Sequence, residues 1–378
     1  MSREPDFRAV DDLLTRALAD GIFSGAQLAV GDEGEARYAR CFGWTQREPA
    51  LGEPVGPDTR FDVASLTKIV ATTAVAMRLV EAGRLDLDAP AVDVLPELRA
   101  GDAAATLDKD RLTARHLLEH SGGLHWWKPF HEELEAARGS FADARAELVR
   151  RAAAVPLDAP PRTRCVYSDL GFILLGALCE RLGGARLDVL AQRAVWAPLG
   201  MEATTFVDLA VTPRPARAWT AVATEVCPRR GLVVGEVHDD NAHAAGGICG
   251  HAGVFTTAED LGRFAAAYVR SCAGEQLSGS FPSELARIFA APCPVPGSTR
   301  SLGWDRPSEG VGTSQAGDLW PRDGAVGHGG FTGTSLWLDL PHRRWVVLLT
   351  NRVHPSRSEE RMKLVRPRVH DAIVRALG

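Results

Sequence analysis

The chain has 378 residues, 45% of them hydrophobic and 24% charged, a composition that supports a globular protein with a sizeable core. A net charge of -5 and a pI near 6.1, with no block of like charges, exclude an electrostatic footprint for nucleic acid or an anionic membrane, and no apolar run is long enough to span a bilayer. Seven scattered cysteines, none in a C-x-x-C pair, indicate reduced and mostly buried thiols in place of a disulfide framework or a zinc knuckle.

The N-terminal MSREPDFRAVDDLL is charged from the start and has no apolar h-region, so a cytoplasmic location is expected if this is the native start. PDFRAVDDLLTRALADG has apolar residues near helical spacing and a stop at Gly21, and AQLAVGDEGEARYARCFGW then reads as a hairpin turning at Asp32-Glu33-Gly34. FDVASLTKIVATTAVAMRLVEAG, residues 61–83, is apolar on nearly every face after Ser65 and predicts a buried helix. The clearest helical pieces of the middle segment are LTARHLLEHSGGL, ADARAELVRRAAAV and GFILLGALCERLGG, joined by connections such as DAPPRTRC. VHDDNAHAAGGICGHAG, residues 237–253, reads as a glycine-rich loop, and Thr256 to Glu259 has the spacing of a capping box opening the helix AEDLGRFAAAYV. A second hairpin, GTSLWLDLPHRRWVVLLTNRV, turns at Pro341 to Arg344 and precedes a helix through RMKLVRPRVHDAIVRALG. Terminal helices flanking a sheet built from both chain ends predict one α/β lobe from residues 1–83 and 236–378, a helical lobe from 84–235, and a ligand cleft between them.

The chain's only lysines are Lys68, Lys109, Lys128 and Lys363, so an ammonium group inside the apolar segment after Ser65 needs a reason. A spacing of three places Lys68 on the face of Ser65, within reach of its hydroxyl. If the helix begins at Ser65, its N-terminal N–H groups favour a developing negative charge there, and desolvation is expected to push Lys68 toward the neutral amine that accepts a proton from serine. Tyr167-Ser168-Asp169 precedes an apolar helix, and His328-Gly329-Gly330 opens the strand FTGTSLWLDL.

Taken in order and spacing, S-L-T-K, Y-S-D and H-G-G resemble the motifs of the penicillin-recognising serine enzymes: class C-type β-lactamases, DD-peptidases and related esterases. The likeness runs through RHLLEHSGGL, YSDLGFILLG, GVFTTAEDLGRF and the terminal hairpin, nearly the whole chain. It implies an α+β fold of the β-lactamase/transpeptidase type, an antiparallel sheet flanked by the N- and C-terminal helices plus a mostly helical lobe. It makes Ser65 the acylated nucleophile, Lys68 its proton acceptor and Tyr167 the second acid/base partner, with the backbone N–H groups of Ser65 and Phe331 as oxyanion donors. Gly329 and Gly330 would let the strand approach the substrate, and Asp169, His328, Gly330 and Phe331 would line its site. The implied function is a serine hydrolase acting through an acyl-enzyme on a small ester or amide, with neither metal nor cofactor. β-Lactam or peptidoglycan-type substrates, and a silent sensing or scaffold domain, are the alternatives.

Two positions depart from the family pattern. Asp169 stands where the relatives usually carry asparagine, and an ionised carboxylate only accepts hydrogen bonds. His328 stands where they usually carry lysine, so this position is expected to be neutral above pH 7.5 and to charge in mild acid. Arg352, after the last strand, is expected at the surface, with an anion contact as the alternative. H-L-L-E-H at 116–120 matches a zinc-peptidase pattern but runs into Ser121-Gly122-Gly123, and His238, Asp239, His243 and His251 are read as residues fixing the turns of their own loop. His125-Trp126-Trp127 reads equally as pocket lining or as core.

Overall fold

The computed structural model of the chain describes residues 5–99, 108–137, 139–211, 219–308, 310, 312 and 314–378; the first four residues of the charged N-terminus, and parts of the middle segment at 100–107 and 212–218, lie outside the described residues. The framework is a five-stranded antiparallel sheet in the order β2-β1-β10-β9-β8, formed by β1 (Gly25–Asp32), β2 (Glu35–Gly43), β8 (Ala325–Gly329), β9 (Ser335–Asp339) and β10 (Arg344–Thr350). Both hairpins form where the sequence places them. They join through β1 and β10, with Leu28 opposite Leu348 and Val30 opposite Val346.

Successive strand residues point to opposite faces, and both faces are covered, which is why WVVLL reads as a continuous apolar run. Leu28, Val30, Val346 and Leu348 pack with α1 (Arg8–Ala19) and the C-terminal helix α11 (Met362–Leu377) through Val10, Leu14, Val369 and Ile373. Ala29, Val347 and Leu349 face the other core, with Leu261 and Phe264 of α9 (Ala258–Cys272). The N-cap of α9 is Thr257, accepting from the Asp260 N–H, one residue later than the capping box read from the sequence.

The middle segment holds α4 (Phe130–Ala137), α5 (Phe141–Ala154), α6 (Asp169–Gly183), which is closed by Gly184 at φ 69°, and the short α7 (Leu187–Ala191). LTARHLLEH forms only a short α3 (Ala114–Leu118). The segment read as helical also contains strands: β4 (Thr205–Phe206) pairs with β7 (Val254–Thr256), and β5 (Ala223–Cys227) pairs with β6 (Gly231–Val234). ATEVC and GLVV are rich in β-branched residues and meet at a glycine turn, a local preference for strand. β7 also pairs with β3 (Phe61–Asp62), which delivers the chain to Ser65.

Candidate active site

Ser65 sits in a 3₁₀ turn, Ala64–Leu66, not at the start of an α-helix. Ala64 has φ 46°, a left-handed conformation that costs a non-glycine residue about 1–2 kcal/mol and that clusters at functional sites. Buried Asp62 holds this turn: Oδ1 accepts the Ala64 N–H at 2.8 Å and Oδ2 accepts the His238 N–H at 2.6 Å. The next turn, Lys68–Thr73, is π-helical and wholly buried, and α2 proper is Ala74–Glu81. Around the wide turn the Val70 carbonyl accepts from Trp196 Nε1 at 2.9 Å, and Thr72 Oγ1 donates to the Gly250 carbonyl at 2.6 Å.

Three of the expected residues meet at one atom. Lys68, with no solvent exposure, donates from Nζ to Ser65 Oγ at 2.9 Å, and the Tyr167 hydroxyl donates to the same oxygen at 2.7 Å. Lys68 Nζ also donates to the His251 carbonyl at 3.1 Å and lies 2.7 Å from Asp169 Oδ1. Burial alone would lower the Lys68 pKa as expected from the sequence, but the Asp169 carboxylate and then Tyr167 outweigh it, and Lys68 is raised above its ordinary value. The resting group is therefore an ammonium, which corrects the neutral amine. Burial also raises the Tyr167 phenol, against the opposing pull of Lys68. Asp169, expected to bind substrate, is the counterion of Lys68, held at the first residue of α6 where the helix dipole favours a carboxylate.

Tyr167 is positioned by the segment that mimicked a zinc motif. His120 lies beyond the end of α3 at φ 56°; its Nδ1 accepts the Ser168 N–H at 3.0 Å, its carbonyl accepts the Val166 N–H at 2.9 Å, and its ring centroid is 4.7 Å from that of Tyr167. His116 Nδ1 accepts the Thr113 N–H at 3.3 Å in the α3 cap. In the glycine-rich loop, Asp239 caps the short helix α8 (Asp240–Ala244), His251 Nε2 lies 2.8 Å from Asp239, and His238 Nε2 lies 3.0 Å from Glu225. No group of three or more His, Cys, Asp or Glu among the described residues is arranged to hold a metal. His125 pairs with Asp158 and Trp126 is 57% exposed, so this stretch is not core filling.

The third motif ends β8. His328 is buried, donates from Nδ1 to the Gly329 carbonyl at 2.8 Å, and has its ring centroid 5.8 Å from Tyr167. Burial, then Lys68 and Arg300, push its pKa down to about 3, so it stays neutral in mild acid, contrary to the expectation from sequence. A Cβ on Gly330 would lie 2.1 Å from Thr334 Oγ1 and 2.5 Å from the Val63 carbonyl, whereas on Gly329 its nearest neighbour would be Arg366 at 3.5 Å. Close approach is thus required at Gly330 alone, and what approaches is the Ser65 turn. Thr332 Oγ1 donates to the Asp62 carbonyl at 2.7 Å and Thr334 Oγ1 to the Val63 carbonyl at 3.1 Å, clamping the motif onto it. The half-exposed Phe331 ring lies between the His238 ring, 5.7 Å away, and the Arg352 guanidinium, 4.6 Å away. Arg352, expected at the surface, is buried and donates to the Glu359 carbonyl. Sequence reasoning missed Asp62, Ala64 and Arg300, whose guanidinium carbon is 5.3 Å from the Tyr167 ring centroid and which is paired with Asp305.

Fold and site together define a serine hydrolase of the β-lactamase class. The chain belongs to the Beta-lactamase family, whose model matches residues 10–369. It is 30% identical over 368 residues to N-acetylmuramyl-L-alanine amidase of Bacillus subtilis (strain 168), covering 92% of this chain and 81% of the relative. It is 31% identical over 388 residues to Esterase EstB of Burkholderia gladioli, covering 92% of this chain and 91% of the relative. The octameric penicillin-binding protein homologue from Pyrococcus abyssi shares the fold, with a TM-score of 0.72 at 21% identity over 98% of this chain and 77% of that one. No helix among the described residues is long and apolar enough to cross a membrane.

Proposed function

We propose that the chain hydrolyses small neutral esters or amides through an acyl-enzyme on Ser65, in a cleft between the lobe of residues 1–83 and 236–378 and the lobe of residues 84–235. The observation that carries this reading is the convergence of Lys68 Nζ and the Tyr167 hydroxyl on Ser65 Oγ. A silent scaffold has no use for two such groups on one serine oxygen.

Lys68 is held as an ammonium by Asp169, so the reactive form is the one in which Tyr167 has lost its proton beside that ammonium. The phenolate oxygen takes the Ser65 proton as Oγ attacks the carbonyl carbon, and the resulting oxyanion faces the Ser65 and Phe331 N–H groups. Tyr167 then returns the proton to the departing alkoxide or amine. Water enters, Tyr167 takes one of its protons, hydroxide attacks the acyl carbon, and Ser65 leaves with the proton from Tyr167. His328 and Phe331 are a neutral and an aromatic wall, which suits uncharged acyl or alkoxy groups. The names of the amidase and esterase relatives support the same reaction class.

A second reading, β-lactam or D-alanyl peptide substrates, is favoured by Arg300, a guanidinium over the Tyr167 ring that brings a positive charge to the site, shared with Asp305. Mass spectrometry of the intact protein with p-nitrophenyl butyrate and with a penicillin separates the two. The expected result is a transient acyl adduct on Ser65 from the ester, with turnover lost by at least about a thousandfold in Ser65→Ala of native circular dichroism. Retained turnover in that variant sinks the Ser65 assignment, and faster turnover of the penicillin selects the second reading.

A further inference from the structure

Two residues before Tyr167, the sulfur of Cys165 lies 3.7 Å from that of Cys293 although the residues are 128 positions apart in sequence. Cys165 is partly exposed. Cys293 is buried in the loop after α10 (Ser283–Ala290), and its N–H donates to the carbonyl of Arg300, whose guanidinium covers the Tyr167 ring. Buried Glu119 lies against the pair and accepts from Ser121 Oγ at 3.2 Å.

We propose that Cys165 and Cys293 are a peroxide-sensitive thiol pair whose disulfide ties the Arg300 loop to the Tyr167 segment and slows the hydrolase. The effect on turnover rests on the acyl-enzyme reading above; the disulfide does not.

The two thiols differ as an attacking and a resolving cysteine must. Burial pushes Cys41, Cys179, Cys249 and Cys272 up, whereas the hydrogen bond from Cys293, with Ser298 and Arg300 assisting, brings Cys165 down to about 7. Cys293 is raised, first by its bond to Cys165, and so keeps its proton. The Cys165 thiolate attacks one oxygen of hydrogen peroxide, expelling hydroxide, which is protonated to water, and becomes a sulfenic acid. Cys293 then attacks that sulfur as its own proton passes to Glu119, whose pKa burial and the Cys293 sulfur raise to about 7, and from Glu119 to the departing hydroxyl. The S–S bond forms and the sulfenic hydroxyl leaves as a second water: two thiols are oxidised by two electrons and one peroxide is reduced to two waters.

Bonding requires the sulfurs to close from 3.7 Å to about 2.0 Å. The residues around Cys293, Ala291, Pro292, Pro294, Pro296 and Gly297, are exposed and leave the loop room to follow. The Tyr167 segment shifts with it. A displacement near 1 Å costs a positioned catalytic group up to about a hundredfold.

Wild type, Cys165→Ser and Cys293→Ser are treated with hydrogen peroxide, mapped as peptides and assayed on p-nitrophenyl butyrate. Wild type is expected to lose two of its seven thiols, yield one cross-linked peptide joining Cys165 to Cys293, and slow at least about tenfold, with dithiothreitol restoring the rate. Cys293→Ser is expected to give a dimedone adduct at Cys165 and no cross-link, and Cys165→Ser to keep its rate through the treatment. Absence of the cross-link in wild type, or a cross-link that leaves turnover unchanged, overturns the proposal. A wild type that forms the cross-link but hydrolyses no ester even when reduced counts against the acyl-enzyme reading and leaves the thiol pair standing.

Discussion

Asp169 decides which proton the Ser65 site gives up. Its carboxylate, 2.7 Å from Lys68 Nζ, raises Lys68, and its charge also adds to the burial that raises Tyr167. The second effect delays the Tyr167 phenolate, so the acid limb of kcat/KM for a neutral ester is expected above pH 7. Asp169→Asn removes the negative charge, lowers both values, and shifts that limb to lower pH by about 1 unit or more. The amide also adds a donor, so acylation by penicillin is expected to speed up in the same variant. Profiles of kcat/KM from pH 6 to pH 10 check this, and a limb that stays put or moves to higher pH shows that Asp169 does not govern the base.

At the scale of elements, the site is a junction between the 3₁₀ turn at Ser65 and the end of β8. Their contact is backbone against backbone at Gly330, with Thr332 and Thr334 bonding to the carbonyls just before Ser65. Gly330→Ala drives a methyl into the Val63 carbonyl and pushes the strand end away from the turn, with an expected loss of at least about a hundredfold in turnover. Gly329→Ala meets Arg366 and the Thr334 carbonyl at ordinary contact distances and is expected to stay within about tenfold of wild type. Steady-state kinetics on the pair tests the asymmetry. Equal losses would mean that glycine is needed for conformation and not for clearance.

For the whole molecule, buried histidines set the response to acid. Burial holds His328 and His370 at about 3, His354 at about 4 and His120 well below its ordinary value. In the unfolded chain these rings take up protons as pH falls through about 6.5, while the folded rings stay neutral. The unfolded state then binds more protons, and stability drops by up to about 1.4 kcal/mol per pH unit for each histidine until the folded values are reached. Glu119, raised to about 7, works in the other direction from about pH 7 down to its ordinary range, and the carboxyls of Asp62, Glu180 and Asp260, raised by burial, act in the same sense as Glu119. The histidines outweigh Glu119, and calorimetry is expected to show Tm falling by at least about 4 °C between pH 7 and pH 5.5. His370→Asn is expected to shrink that fall, and a Tm that is flat or rises toward pH 5.5 refutes the account.

Short-range pattern determined much of this protein. The two hairpins, the terminal helices and the trio of Ser65, Lys68 and Tyr167 were legible because period, turn chemistry and motif spacing are local properties of a chain. Even so, a choice between neighbours needed the fold: Thr256 and Thr257 both fit an N-cap, and the first is taken by β7 and by Thr204 Oγ1, 2.6 Å from its hydroxyl. The direction of the Lys68 pKa shift was read wrongly because burial is visible in sequence, whereas an ion pair with a residue a hundred positions away is a distance in space. For the same reason His328 was expected at its solution pKa, since its burial and its nearness to Lys68 and Arg300 arise only in the folded chain. Arg300 carries no motif, the left-handed Ala64 no sequence signature, and Cys165 and Cys293 meet only because two loops converge beside Tyr167. Tertiary structure alone decided these, because electrostatic interaction and thiol pairing depend on separation through the protein and not along the chain.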